Sequence, residues 1–107
     1  MTYQRPVKGV LQTGHFVLDL EKTTLTKGDI TFYLTPKETK LLAILMKNKG
    51  TIVSREFLLA EVWHAAGNGH SRSLDVHIRW LRQKVEDNPN IPEYILTRRG
   101  LGYELRI

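Results

Sequence analysis

The sequence predicts an α+β domain: a small antiparallel sheet, then three helices, then a closing β-hairpin. Three observations carry this. Four short β-like segments punctuated by glycine turns occupy the first third of the chain. A helix-start signal, Thr35-Pro36-Lys37-Glu38, opens the middle third. Residues 71–86, SRSLDVHIRWLRQKVE, then alternate apolar and basic positions with helical period, and a glycine-bearing ribbon, TRRGLGYEL, follows at 97–105.

The strands come first. Val7–Leu11 and His15–Leu20 are separated by Gln12-Thr13-Gly14, and Thr23–Thr26 and Ile30–Leu34 flank Lys27-Gly28-Asp29. Gly28 suits that turn because it takes positive φ without a steric penalty. In the first helix Thr35 is the N-cap, Pro36 the first helical position and Glu38 the third, which forms a capping box. Leu41, Leu42, Ile44, Leu45 and Met46 supply its apolar stripe, and Asn48-Lys49-Gly50 ends it, with Gly50 fitted to a left-handed cap. Thr51-Ile52-Val53 adds a short strand. Ser54 caps a second helix from Arg55 to about Trp63 that buries Leu58, Leu59, Val62 and Trp63. Residues 64–70, HAAGNGH, are loop, since two glycines and an asparagine interrupt any period. The third helix begins near Ser71 and stops at Asn88-Pro89-Asn90, and Tyr94–Arg98 and Leu101–Ile107 close the chain around Arg99-Gly100.

Composition removes several function classes. A chain of 107 residues with 41% apolar and 25% charged content has the make-up of one small globular domain, assigned to residues 9–107. Residues 1–8, MTYQRPVK, lack the apolar stretch of a signal peptide and read as a linker remnant. No apolar run is long enough for a transmembrane helix. With no cysteine there is neither a disulfide framework nor a thiolate metal site, and a reducing cytoplasm is the expected compartment. Of the four histidines only His64 and His70 share a loop, and no carboxylate lies between them, so no metal site is expected. There is no phosphate-cradling glycine loop and no nucleophile elbow, so the chain is read as a non-enzyme without cofactor. The formal charge of +5 favours a polyanionic partner.

The third helix sorts its residues clearly. At 100° per residue Leu74, Ile78, Leu81 and Val85 fall within about 60° of one another, a stripe that must face the core. The opposite face carries Arg72, Val76, Arg79 and Gln83, with Asp75 on one side and Trp80 on the other, and Arg82 and His77 lie at the margins of the stripe. Val76 and Trp80 on a basic surface suit thymine methyls and sugar edges, or a partner protein. Arg98 and Arg99 are consecutive on a ribbon, so one can pair locally while the other projects. An arginine at a ribbon tip fits the narrow, strongly negative minor groove.

Four segments, in order, carry a family resemblance. Thr35-Pro36-Lys37-Glu38-Thr39-Lys40-Leu41-Leu42 resembles the first-helix start of winged-helix effector domains in OmpR/PhoB-type response regulators. Residues 53–58 with Val62-Trp63 resemble that family's second helix, residues 72–82 its recognition helix and Thr97–Tyr103 its wing. The match runs from about residue 9 to 107. The resemblance implies a winged helix-turn-helix with an N-terminal four-stranded sheet, three helices and a C-terminal hairpin wing, the third helix entering the major groove of double-stranded DNA and the wing the adjacent minor groove.

Carried over by position, the resemblance places Asp75, Val76 and Trp80 at base edges. It places Arg72, His77, Arg79, Arg82 and Thr97 at the phosphate backbone, and Arg99 in the minor groove. Asp75 can accept from a cytosine amino group and Val76 can meet a thymine methyl. Asp75 can also pair with Arg79 or Arg72 and only orient an arginine. Trp80 stands where the family often has arginine, and it cannot make a bidentate contact to guanine. The resemblance further implies head-to-tail dimers on direct-repeat operators, a receiver domain in the full-length protein, and an RNA polymerase contact through loop 64–70. That loop has neither an acidic residue nor a large aliphatic, which leaves activation and repression both open. A rival reading is a protein-interaction module that docks through Val76 and Trp80.

Overall fold

The computed structural model describes residues 9–65 and 69–107. The expected linker remnant 1–8 and the loop residues Ala66, Gly67 and Asn68 lie outside the described residues. Strands β1 (Val10–Thr13), β2 (Phe16–Asp19), β3 (Thr24–Lys27) and β4 (Ile30–Tyr33) form an antiparallel sheet in sequence order. Helices α1 (Pro36–Lys47), α2 (Arg55–Trp63) and α3 (Ser71–Val85) follow, with the two-residue strand β5 (Val53–Ser54) between the first two. Strands β6 (Ile95–Arg98) and β7 (Gly102–Leu105) close the chain.

The first sheet folds as the alternation dictates, but two of its turns are shorter than expected. Leu11, Leu18, Leu25 and Phe32 lie in a row across the four strands, and Leu18 and Leu25 are fully buried on the helix side. Gln12 and Thr13, expected in the first turn, are instead paired with Val17 and Phe16, so the reversal is the two-residue Gly14-His15 turn with Gly14 at φ +59°. Thr13 is buried, and extending the ladder satisfies backbone groups that a longer loop would leave to water. The β3–β4 hairpin turns at Gly28, φ +61°, as its glycine predicts, while Lys27, expected in that turn, pairs with Ile30 in the ladder.

Helix α1 starts on a complete capping box. The Glu38 backbone N–H donates to Thr35 Oγ1 at 3.1 Å and the Thr35 N–H donates to Glu38 Oε1 at 2.8 Å. Glu38 is buried, and its second oxygen accepts from Lys84 Nζ of α3 at 2.7 Å, so one carboxylate caps a helix and ties two helices together. At the same end of α3, Lys27 Nζ donates to the Val85 carbonyl at 2.8 Å and to Asp87 at 2.6 Å. The C-terminal end of the third helix is therefore anchored twice to the N-terminal half.

The stripe Leu74, Ile78, Leu81 and Val85 is at most 1% exposed and packs with Leu41, Leu42, Leu45, Leu58 and Leu59 in one core. The closing hairpin is not a free ribbon. β5 pairs with β7, giving a three-stranded sheet in the order β5-β7-β6. Gly100 makes the turn at φ +76°, but Gly102 serves a different need than the expected ribbon tip. A Cβ there would lie 1.9 Å from the Val53 carbonyl oxygen, so the glycine permits β5 and β7 to close on each other.

Candidate nucleic-acid interface

The exposed side of α3 presents Arg72, Val76, Arg79 and Gln83 to solvent, and the turn between β6 and β7 leaves Arg99 and Leu101 exposed. Among the described residues the side chains of Arg72, Arg79 and Arg99 make no hydrogen bond or ion pair with another described residue. Val76 and Trp80 are each 40% exposed, so apolar contact surface lies within a cationic row. A groove of about 520 Å³ separates α3 from the region of the wing, lined by Asp75, Arg79, Arg82, Gln83, Asn90 and Tyr103 among others.

Two flanks frame this row. Towards the wing, Asp75 Oδ1 accepts from Arg55 Nη1 at 2.8 Å and from the Tyr103 hydroxyl at 2.9 Å. Arg55 Nη2 also donates to the Ser71 carbonyl at 3.3 Å. Asp75 therefore pairs neither with Arg79 nor with Arg72, the partners its own helix offered. Arg55, in the first turn of α2, lies across the start of α3 and meets the carboxylate together with a phenol from β7. The Asp75 carboxylate holds the Arg55 guanidinium above its ordinary pKa, while burial followed by the Asp75 hydrogen bond raises that of the Tyr103 phenol.

Two turns further along, Arg82 donates through Nε (3.0 Å) and Nη2 (2.8 Å) to the Ile95 carbonyl, and through Nη2 to Thr97 Oγ1 at 2.8 Å. Its guanidinium lies 5.8 Å from the Tyr103 ring centroid, and desolvation lowers its pKa. Arg82 and Thr97, both expected at phosphates, are thus joined to each other within the chain and fasten the wing's first strand to α3. Arg98 pairs with Glu104 at 2.7 Å while Arg99 projects, which divides the two arginines as their alternation predicts.

Away from the wing the contacts are aromatic. His77 is half-buried between Trp63 (ring centroids 5.1 Å apart, edge-on) and Trp80 (4.8 Å, tilted). His77 Nδ1 lies 2.7 Å from the Ser73 carbonyl, which only accepts, so Nδ1 carries the hydrogen and Nε2 is the remaining ring nitrogen. Lys37 Nζ covers the Trp63 ring at 5.6 Å. Trp80 is thus held as a fixed apolar blade beside Val76.

Sequence reasoning missed Arg55, Tyr103 and Glu86 as parts of this assembly. Glu86 is buried, and its carboxylate accepts from the backbone N–H groups of Glu93, Tyr94 and Ile95 at 2.7–3.1 Å, fixing the lead into the wing. A carboxylate directly after a helix gives little local sign of such a role. Among the described residues no cluster of three or more His, Asp or Glu could hold a metal ion, and no helix is long and apolar enough to cross a membrane.

Three helices, a four-stranded sheet behind them and a sheet-anchored hairpin beside the third define a winged helix-turn-helix domain. Residues 29–105 match the family described as "Transcriptional regulatory protein, C terminal", and the chain belongs to that family, the C-terminal effector domains of OmpR/PhoB-type response regulators. It is 44% identical over 85 residues to the alkaline phosphatase synthesis transcriptional regulatory protein SphR of Synechococcus elongatus, a match covering 79% of this chain and 33% of that protein. It is 50% identical over 72 residues to PhoP of Bacillus subtilis, covering 67% of this chain and 30% of the relative. The chain thus spans about a third of the length of these relatives. Among solved structures, the Klebsiella pneumoniae RstA DNA-binding domain in complex with the RstA box superposes with a TM-score of 0.80 at 29% identity, covering 91% of this chain and 96% of that one. The response regulator DrrB of Thermotoga maritima, an OmpR/PhoB homologue, gives 0.79 at 33% identity over 92% of this chain and 45% of its own.

Proposed function

We propose that this chain is the sequence-specific, double-stranded-DNA-binding effector domain of a transcriptional regulator, with α3 in the major groove and the wing in the adjacent minor groove. The observation that carries the reading is the row Arg72, Val76, Arg79 and Gln83 on the open face of α3, with Arg99 projecting from the wing beside it. Arg72 and Arg79 neutralise phosphates, and His77, when both ring nitrogens carry hydrogen, donates Nε2–H to the same backbone. These contacts set register, while Val76 and Trp80 face base edges. Arg99 enters the minor groove, where negative potential is strongest. Arg82 and Thr97 serve binding mainly by holding the wing. The structure of RstA with its own DNA site supports this reading for the shared fold.

The wider context follows the relatives. A receiver domain, head-to-tail assembly on direct repeats, contact of loop 64–70 with RNA polymerase and a cytoplasmic location belong to this proposal, as does the absence of enzymatic activity. Selecting bound duplexes from a random pool, followed by fluorescence anisotropy on the winning site, tests it. Binding at least about a thousandfold tighter than to unrelated duplex is expected. Equal affinity for all duplexes, or none, rejects sequence-specific recognition and favours docking to protein through Val76 and Trp80.

A further inference from the structure

We propose that Asp75 is a positioning residue for the wing, not a reader of base edges; this rests on the DNA-binding reading above. Its Oδ1 is the common acceptor for Arg55 of α2 and Tyr103 of β7, so the start of α2, the N-terminal half of α3 and the central strand of the wing sheet meet at one atom. Tyr103 is 5% exposed and sits opposite Thr97 in the hairpin ladder, one residue from Gly102, which packs on Val53. The wing strand that carries this phenol therefore has no slack on its other side. A carboxylate on a DNA-facing helix also repels phosphates unless it is compensated, and Arg55 supplies that compensation at 2.8 Å. The arrangement fixes the distance between α3 and the ribbon that bears Arg99, and so the distance between the two grooves that can be engaged together.

The test uses the whole chain with Asp75→Ala, Tyr103→Phe and both together. Tyr103→Phe keeps the ring's packing and removes only the hydroxyl, which donates to Asp75 at 2.9 Å and accepts from Arg55 at 3.4 Å. Amide hydrogen exchange on the DNA-free protein is expected to speed up about tenfold at the wing, residues 97–103, with α1 amides unchanged. On the selected operator each single variant is expected to raise Kd about tenfold, by the same factor for every single-base-pair variant of the site. The double variant is expected to bind no worse than the weaker single. Unchanged wing exchange overturns the proposal. So does relaxed specificity at one base pair in Asp75→Ala with Tyr103→Phe silent, the signature of base reading. Tighter binding by Asp75→Ala overturns it too, as simple relief of repulsion. If the unmodified chain binds no duplex, the DNA-binding reading falls, while the exchange measurement still decides whether Asp75 positions the wing.

Discussion

The two flanks of α3 solve the same problem with different chemistry. Towards the wing, Asp75 and Arg82 are charged, and they join Arg55, Tyr103, Ile95 and Thr97 through directional bonds of 2.8–3.0 Å. Away from it, His77 meets Trp63 edge-on and Trp80 at a tilt, with ring centroids 4.8–5.1 Å apart and a single polar tie to the Ser73 carbonyl. Directional bonds fix a distance and an angle between elements, as a ribbon that must meet a second groove requires. Rings in edge-on or tilted contact tolerate small rotations and keep apolar surface available at their edge. The polar flank is therefore read as geometry and the aromatic flank as contact surface.

Substitutions on the two flanks should separate these roles. Arg82→Ala removes the shared donor to Ile95 and Thr97, and we expect about 2–3 kcal/mol of lost stability in chemical denaturation together with weaker binding on every sequence. A stability within about 0.5 kcal/mol of the parent would show that the wing is held by its sheet alone. Arg99→Ala should leave stability unchanged and weaken operator binding by roughly 1–3 kcal/mol at fixed salt; an unaltered Kd would remove Arg99 from the minor groove. Trp80→Ala should cost about 1 kcal/mol of binding and act at one base step, a change visible when the selection is repeated with the variant. A uniform loss across sequences would return Trp80 to a purely packing role.

The smallest effect lies in the pH dependence. Because the folded state raises the Tyr103 phenol above its ordinary value of 10.0, the associated stability is complete below that pH and is lost as pH rises through the raised value. Tyr103→Phe should lack this alkaline loss in urea titrations, whereas an identical profile in both proteins would assign the loss elsewhere.

Legibility in the sequence followed the range of the interactions. The capping box, the Gly28 turn and the buried stripe of α3 depend on residues within about a turn of one another, and each is found where the spacing placed it. The exposed row of α3 is legible for the same reason. Asp75 is the contrasting case. Its helix offers Arg72 and Arg79, yet the partners are Arg55, 20 residues earlier, and Tyr103, 28 residues later. Only the packing of α2 and the wing against α3 selects them. Arg82 reads as one more surface cation until the fold brings the Ile95 carbonyl, 13 residues away, within 3.0 Å. Gly102 likewise reads as a turn glycine, and its real constraint is a strand from a different part of the chain.

The central claim is that cations left free by the fold, and not the whole basic surface, meet the DNA backbone. The most direct test is the salt dependence of binding to the selected operator. Arg72, Arg79 and Arg99 predict a slope of log K against log salt of about −3, falling to about −2 in Arg99→Ala. A slope near zero, or one unchanged by that substitution, would contradict the account.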